Sequence, residues 1–168
     1  GIGILTTAAK AELAGGEILK KVHAQMAALN KTSRDIMVTY PVHSCTDITG
    51  FSLLGHGYEM AQGSGCTLHI TVDTVPYHGE ALEFASMGLV PAGAYRNRQY
   101  AGPGVKLRRE VSLAMQDILY DPQTSGGLLF ALPEKDAQAC LRALQDQIPQ
   151  AAIVGYVTEK EEAFLCLH

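Results

Sequence analysis

The sequence predicts an α+β fold, a layered α/β/α domain built on a mixed β-sheet. Three observations carry that expectation. Several segments repeat apolar residues at helical spacing, one segment alternates with period two, and the two patterns are interspersed along the chain. With 168 residues the chain is long enough for one domain with a sizeable core, so residues 1–168 are read as a single unit.

The opening GIGILTTA, Gly1 to Ala8, reads as a strand entering the domain. In the next segment Ile18, Val22, Met26 and Leu29 recur at helical spacing, with Lys20, Lys21 and Gln25 on the other side and Asn30 as the stop. A second helix is expected over Ser33 to Tyr40, with Ser33 as its N-cap. Pro41 ends it, because the residue before proline is pushed out of the helical region. HSCTDI is short and partly β-like. From Phe51 onward, Phe51, Leu54, Tyr58 and Ala61 mark a helical face, which QGSG then breaks.

CTLHITV alternates, with Cys66, Leu68, Ile70 and Val72 on one side and Thr67, His69 and Thr71 on the other. That is a strand with one face in the core. HGEALEFASMG is a short helix closed by Gly88. VPAGAYRNRQYAGPGVKLRR is the least regular part, holding Pro91, Gly93, Gly102, Pro103 and Gly104. SLAMQDILYDP is helical until Pro122, and GLLFALP is a buried strand. Ala137, Leu141, Leu144 and Ile148 give a further helix after Pro133. AAIVGYV and AFLCLH are two strands around the acidic turn TEKEE, read as a terminal hairpin. No repeat, low-complexity tract or internal linker interrupts the pattern.

Composition narrows the function classes. Apolar residues make up 47% of the chain, charged residues 18%, and the formal net charge is -4. An acidic balance argues against general nucleic-acid binding, which wants a basic face. No apolar run approaches the roughly 18 residues of a membrane span, and no secretory signal is visible. The first residue is Gly1, which fits either a processed start or a segment of a longer chain. The four cysteines, Cys45, Cys66, Cys140 and Cys166, form no C-x-x-C pair and match no zinc spacing. A reducing cytoplasm is the expected setting. Cys45 alone lies near a candidate site, and nothing beside it in sequence lowers its pKa.

The candidate site is the stretch HSCTDITGFSLLGHGYEM, where Asp47 stands just before Gly50 and an apolar helical run. Two readings are open. Thr46, Asp47 and Thr49 are all N-cap residue types, each worth about 1 kcal/mol as caps. Alternatively, a carboxylate at a strand-to-helix junction is a Mg²⁺ ligand beside a phosphate, with Gly50 letting the backbone approach. One carboxylate does not make such a site by itself.

A second stretch, YDPQTSGG from Tyr120 to Gly127, places an Asp-Pro turn, two hydroxyls and two glycines before a buried strand. It reads as a tight turn, or as a backbone wall that a phosphate or a neighbouring domain approaches. The basic residues Arg96, Arg98, Lys106, Arg108 and Arg109 form a solvated face or steer an anion. His43 and His56, which flank Asp47, read as packed or exposed histidines rather than ligands. The absence of a G-x-x-x-x-G-K-[ST] loop excludes ordinary P-loop nucleotide binding.

CTDITGFSLLGH together with LYDPQTSGGLL resembles the selenophosphate synthetase (selenide, water dikinase) family, within the wider aminoimidazole ribonucleotide synthetase group. GIGILTTA, GLVPAGAYRN and IVGYVTE resemble it as well, so the likeness spans essentially the whole chain. It implies the C-terminal domain of a two-domain enzyme that makes selenophosphate from selenide, ATP and water, releases AMP and phosphate, and needs Mg²⁺. It implies that the catalytic Cys (or selenocysteine), the catalytic Lys and further Asp ligands lie in a separate N-terminal ATP-binding domain. Asp47 would then be this domain's metal ligand in a shared Mg–ATP site, Cys45 would not be the catalytic cysteine, and the isolated chain would be inactive. A homodimeric, cytoplasmic full-length protein is implied too, without nucleic-acid or membrane partners. The family usually reads G-F-G-L-L-G-H, whereas here Ser52 follows Phe51, a change expected to be minor in a first helical turn. The alternatives are a related ATP-dependent synthetase or kinase of the same group, and a non-catalytic binding domain.

Overall fold

The computed structural model describes residues 1–168. Eight α-helices and six strands are interspersed, in the order α1 (Ile2–Lys10), α2 (Gly16–Ala27), α3 (Lys31–Met37), β1 (Ser44–Asp47), α4 (Ser52–Ser64), β2 (Cys66–Ile70), α5 (Gly79–Ser86), α6 (Ala92–Ala101), β3 (Val105–Leu107), α7 (Leu113–Tyr120), β4 (Leu128–Ala131), α8 (Glu134–Gln145), β5 (Gly155–Glu159) and β6 (Leu165–Leu167). The mixed sheet has the order β3-β6-β2-β5, and β1 pairs separately with β4. This is the α+β class with a mixed sheet that the sequence predicts.

One face of the mixed sheet carries Leu68 and Ile70 from β2 and Leu165 and Leu167 from β6. Leu54, Ala61, Leu119 and Leu129 belong to the same cluster. A second cluster joins Ile2, Ile4, Leu5 and Ala8 to Val22, Ala81, Phe84 and Ile118. Two glycines end helices as expected: Gly65 closes α4 at φ +64°, and Gly88 follows α5 at φ +80°.

Five expectations need correction. Gly1 to Ala8 is not a strand but leads into helix α1, since Ile2, Leu5 and Ala8 repeat every three residues and are all buried. A short apolar run does not by itself distinguish the two periods. Helix α3 starts at Lys31, so Ser33 lies inside it rather than capping it, and it ends at Met37 rather than Tyr40. The segment after Val90 is not irregular: α6 buries Ala94, Asn97 and Ala101, a helical face made of small and polar residues. The terminal strands form no hairpin. β2 lies between them, antiparallel to β5 and parallel to β6.

The fifth correction concerns β2, which is covered on both faces. Thr67 and His69 were expected on an open side, yet His69 is only 4% exposed. Thr67 Oγ1 donates to Ala163 O at 2.7 Å and accepts from Glu161 N–H at 2.8 Å, which folds residues 161–163 over the strand. His69 stacks on Tyr156 at 4.5 Å, and its ring nitrogens reach His168 at 2.9 Å and Glu161 at 3.0 Å. These bonds satisfy the polar groups that a central strand would otherwise leave buried and unpaired.

Candidate active-site wall

The two stretches singled out in the sequence lie side by side. β1 and β4 pair antiparallel, with Asp47 opposite Leu128. The ladder then runs on into the loops. Gly126 N–H donates to Ile48 O at 2.8 Å, Ile48 N–H to Gly127 O at 2.9 Å, and Gln123 N–H to Thr49 O at 3.0 Å. Gly126 has to be glycine, because a Cβ there would stand 2.7 Å from the Ile48 carbonyl oxygen. Gly127 adopts φ +90°, which favours glycine as well.

Asn97 of α6 fastens the pair. It is 5% exposed, and its Nδ2 group donates to Gly50 O at 2.9 Å and to Tyr120 O at 3.0 Å. Each loop thus surrenders one carbonyl to a single amide. The second loop also holds the start of α1. Asp121 Oδ2 accepts from Gly3 N–H at 2.8 Å, and Gln123 Oε1 accepts from Ile2 N–H at 3.2 Å. Asp121 Oδ1 is buried without a partner. Burial lifts the Asp121 carboxyl above the ordinary aspartate range, against the opposing pull of the Ile4 and Gly3 amides and the Gln123 side chain.

Asp47 itself is exposed at the end of β1, and its carboxylate makes no hydrogen bond or ion pair within the chain. It caps no helix: Phe51 occupies the N-cap position of α4, with no side-chain cap bond. Thr49 Oγ1 instead bonds His56 Nε2 at 3.1 Å. The capping reading therefore fails for Asp47 and for Thr49, and Thr46 bonds only the Asp47 carbonyl. The side chain that does reach an early α4 amide is Ser52, whose Oγ accepts from Gly55 N–H at 3.3 Å.

Ser52 sits at φ +72°, in the left-handed region, and is fully buried. The expectation that serine is at ease in a first helical turn is corrected by that dihedral, since only glycine is unstrained there. Ser125, in the second loop, shares the feature at φ +54°. Of the three non-glycine residues with positive φ, Ser52 stands where the first loop enters α4, Ser125 lies in the second loop, and Glu12 is elsewhere. Strain of this sort concentrates at functional sites.

Beside the wall opens a cleft of about 700 Å³ between Thr49, Gly50 and Phe51 on one side and Gly93, Arg96 and Tyr100 of α6 on the other. The Phe51 and Tyr100 rings lie 5.8 Å apart. His56 is packed, as expected, with Nδ1 3.4 Å from Glu59, and His43 is exposed. The basic segment does not act as one face. Arg98 pairs with Asp117 at 2.8 Å, Arg108 with Glu161 at 3.1 Å, Lys106 with Glu162 and Arg109 with Asp73. Arg96 alone of the five has no carboxylate partner.

Cys45 is exposed, with Sγ 3.7 Å from Met37 Sδ. Partial burial and then the Asp47 charge push its thiol pKa up, which disfavours the thiolate. No group of three or more His, Cys, Asp or Glu side chains is placed to hold a metal ion. Asp47 suits a hard cation as an unengaged oxygen donor, but it is one ligand only. No helix is long and apolar enough to cross a membrane.

Sequence reasoning found both loops and Asp47 and missed Asn97 and the isolation of Arg96. The usable signal was the Ala94–Asn97–Ala101 spacing, which marks a helical face once small residues are counted as apolar.

The chain is similar to known proteins in sequence and in fold. Selenide, water dikinase of Clostridium botulinum (strain Alaska E43 / Type E3) is 47% identical over 160 residues, covering 95% of this chain and 46% of that protein. The enzyme of the same name from Treponema denticola is 44% identical over 170 residues, covering 98% and 48%. That from Pelobacter propionicus is 47% identical over 161 residues, covering 95% and 46%. The chain thus spans about half the length of the curated relatives it matches. Among solved structures, the hydrogenase maturation protein HypE superposes with a TM-score of 0.61 at 18% identity, over 96% of this chain and 42% of that one, a likeness of fold. Residues 1–166 match the model of the AIR synthase related protein, C-terminal domain, and the chain belongs to that family.

Proposed function

We propose that this chain is the C-terminal domain of a selenide, water dikinase and that Asp47 contributes one oxygen ligand to a Mg–ATP site shared with an upstream ATP-binding domain. The intact enzyme would make selenophosphate from selenide, ATP and water, with release of AMP and phosphate, and would be a cytoplasmic homodimer. The observation that carries the reading is the state of Asp47. It is a carboxylate with no partner in its own chain, at the edge of two interlocked glycine loops. The similarity to curated dikinases, at about half their length, supports it.

Bound Mg²⁺ supplies charge neutralisation of phosphate oxygens, the main catalytic need in phosphoryl transfer. The part of this chain is positional. Asp47 is held at the end of β1, and its distance from the second loop is fixed by the Ile48–Gly126 and Ile48–Gly127 bonds. Preorganisation of this kind avoids reorganisation during the reaction. The isolated chain, with one metal ligand, forms no AMP.

The test is Asp47→Asn in the full-length enzyme. Because the side chain is exposed and unbonded, stability should move by no more than about 0.5 kcal/mol. Mg²⁺-dependent AMP formation should fall by about a hundredfold or more, in line with the cost of disturbing metal coordination. Retention of that activity in a folded variant refutes the reading.

A further inference from the structure

We propose that the cleft between the α4 loop and α6 is an oxyanion subsite in which Arg96 is the cation, taking a phosphoryl group of substrate or product. The proposal rests on the Mg–ATP reading for the identity of the ligand, and on the cleft itself for the rest.

Charge bookkeeping on the basic segment singles out Arg96. Arg98, Lys106, Arg108 and Arg109 are each neutralised by a carboxylate. Arg96 is exposed, unpaired and on the wall of a cleft of about 700 Å³ that no acidic residue lines. The nearby Glu59 is engaged by Tyr100 Oη at 3.3 Å and by His56 Nδ1 at 3.4 Å. The remaining lining groups are neutral, among them the Thr49 hydroxyl and the rings of Phe51 and Tyr100. With no carboxylate to compete for it, the guanidinium is free to attract an anion. Its planar fork matches two oxygens of one phosphate.

The cleft is also a fixed feature. Asn97, the next residue on α6, is buried and bonded to both loops, which sets the position of the Arg96 backbone against Thr49 and Gly50. The volume leaves room for more than one phosphoryl group, so the ligand class is a phosphate or a short polyphosphate.

The experiment uses the full-length protein with inorganic pyrophosphate as the probe, in EDTA, by isothermal titration calorimetry. Arg96→Ala should weaken binding by about tenfold or more, the equivalent of one charge-assisted hydrogen-bonded contact. Arg96→Lys, which keeps the charge, should retain most of the affinity. Arg108→Ala, at a paired arginine, should leave it unchanged. Wild-type affinity in Arg96→Ala overturns the proposal, as does an equal loss in Arg108→Ala, which would mean bulk charge. So does a result in which Arg96→Ala alters contact between the two halves of the protein and leaves pyrophosphate binding intact. Asp47→Asn separates the two readings. If it keeps Mg²⁺-dependent turnover while Arg96→Ala loses pyrophosphate, the magnesium assignment fails and the subsite stands.

Discussion

Replacing Ser52 by glycine should stabilise the protein, and replacing it by alanine should do the opposite. At φ +72° the Cβ of Ser52 crowds the following carbonyl, which costs about 1–2 kcal/mol. Glycine removes that strain. It gives back about 0.4–1 kcal/mol through the greater freedom of the unfolded chain. It also loses the 3.3 Å bond from Gly55 N–H, a long cap contact whose replacement by glycine costs a few tenths of a kcal/mol, roughly. The net gain is about 0.5 kcal/mol. For a chain of this size it raises Tm by about 1–2 °C. Alanine keeps the strain and loses the bond, so it should fall below wild type by about 1 kcal/mol. The order of the two variants is the diagnostic, read by thermal and urea denaturation. A residue in ordinary helical geometry would favour alanine over glycine by about 1 kcal/mol. An alanine variant as stable as the glycine variant refutes the left-handed assignment and, with it, the argument for strain at the loop.

Two further outcomes follow from the wall. Asn97→Ala leaves the Gly50 and Tyr120 carbonyls without their shared donor, which should cost about 1–3 kcal/mol and lower Tm by several degrees, roughly; an unchanged melting curve would mean that the amide is not a fastener. Asp121 gives a pH signature. Its folded pKa is raised by burial, so its favourable contribution is complete below the ordinary aspartate value of about 3.9 and is lost as pH rises through the folded value. Asp121→Asn keeps an acceptor for Gly3 N–H, and it should flatten the decline of stability above about pH 4. A variant that loses the same stability at pH 4 and at pH 7 contradicts this account.

The elements that the sequence disclosed are those whose packing and local chemistry agree. β2 alternates because Leu68 and Ile70 enter the core together, and α4 is bounded by a loop and by Gly65. The second glycine loop was visible as a tight turn, the first as a strand-to-helix junction, and Asp47 as a candidate ligand. Their contact was not visible, because the bonds between Ile48 and Gly126 or Gly127 join residues far apart in the chain through main-chain atoms that carry no residue identity. α1 was misread because four apolar positions within eight residues satisfy either period. α6 escaped because its buried face holds Ala94, Asn97 and Ala101 rather than large apolar residues. The apparent hairpin arose from chain adjacency, since nothing in AAIVGYV or AFLCLH shows that β2 will come between them. The isolation of Arg96 depends on where four carboxylates fold, Asp73, Asp117, Glu161 and Glu162, and no local pattern encodes that.

The position of β6 bears on how the molecule is made. Residues 165–167 are the last strand in the chain, yet they occupy an interior slot between β3 and β2. A nascent polypeptide lacking them has a gap in the middle of its sheet and exposes Leu68, Ile70 and Leu54 to solvent. The mixed sheet therefore cannot close before residues 165–167 are in place, and removing them should be as damaging as a lesion in its central strand β2.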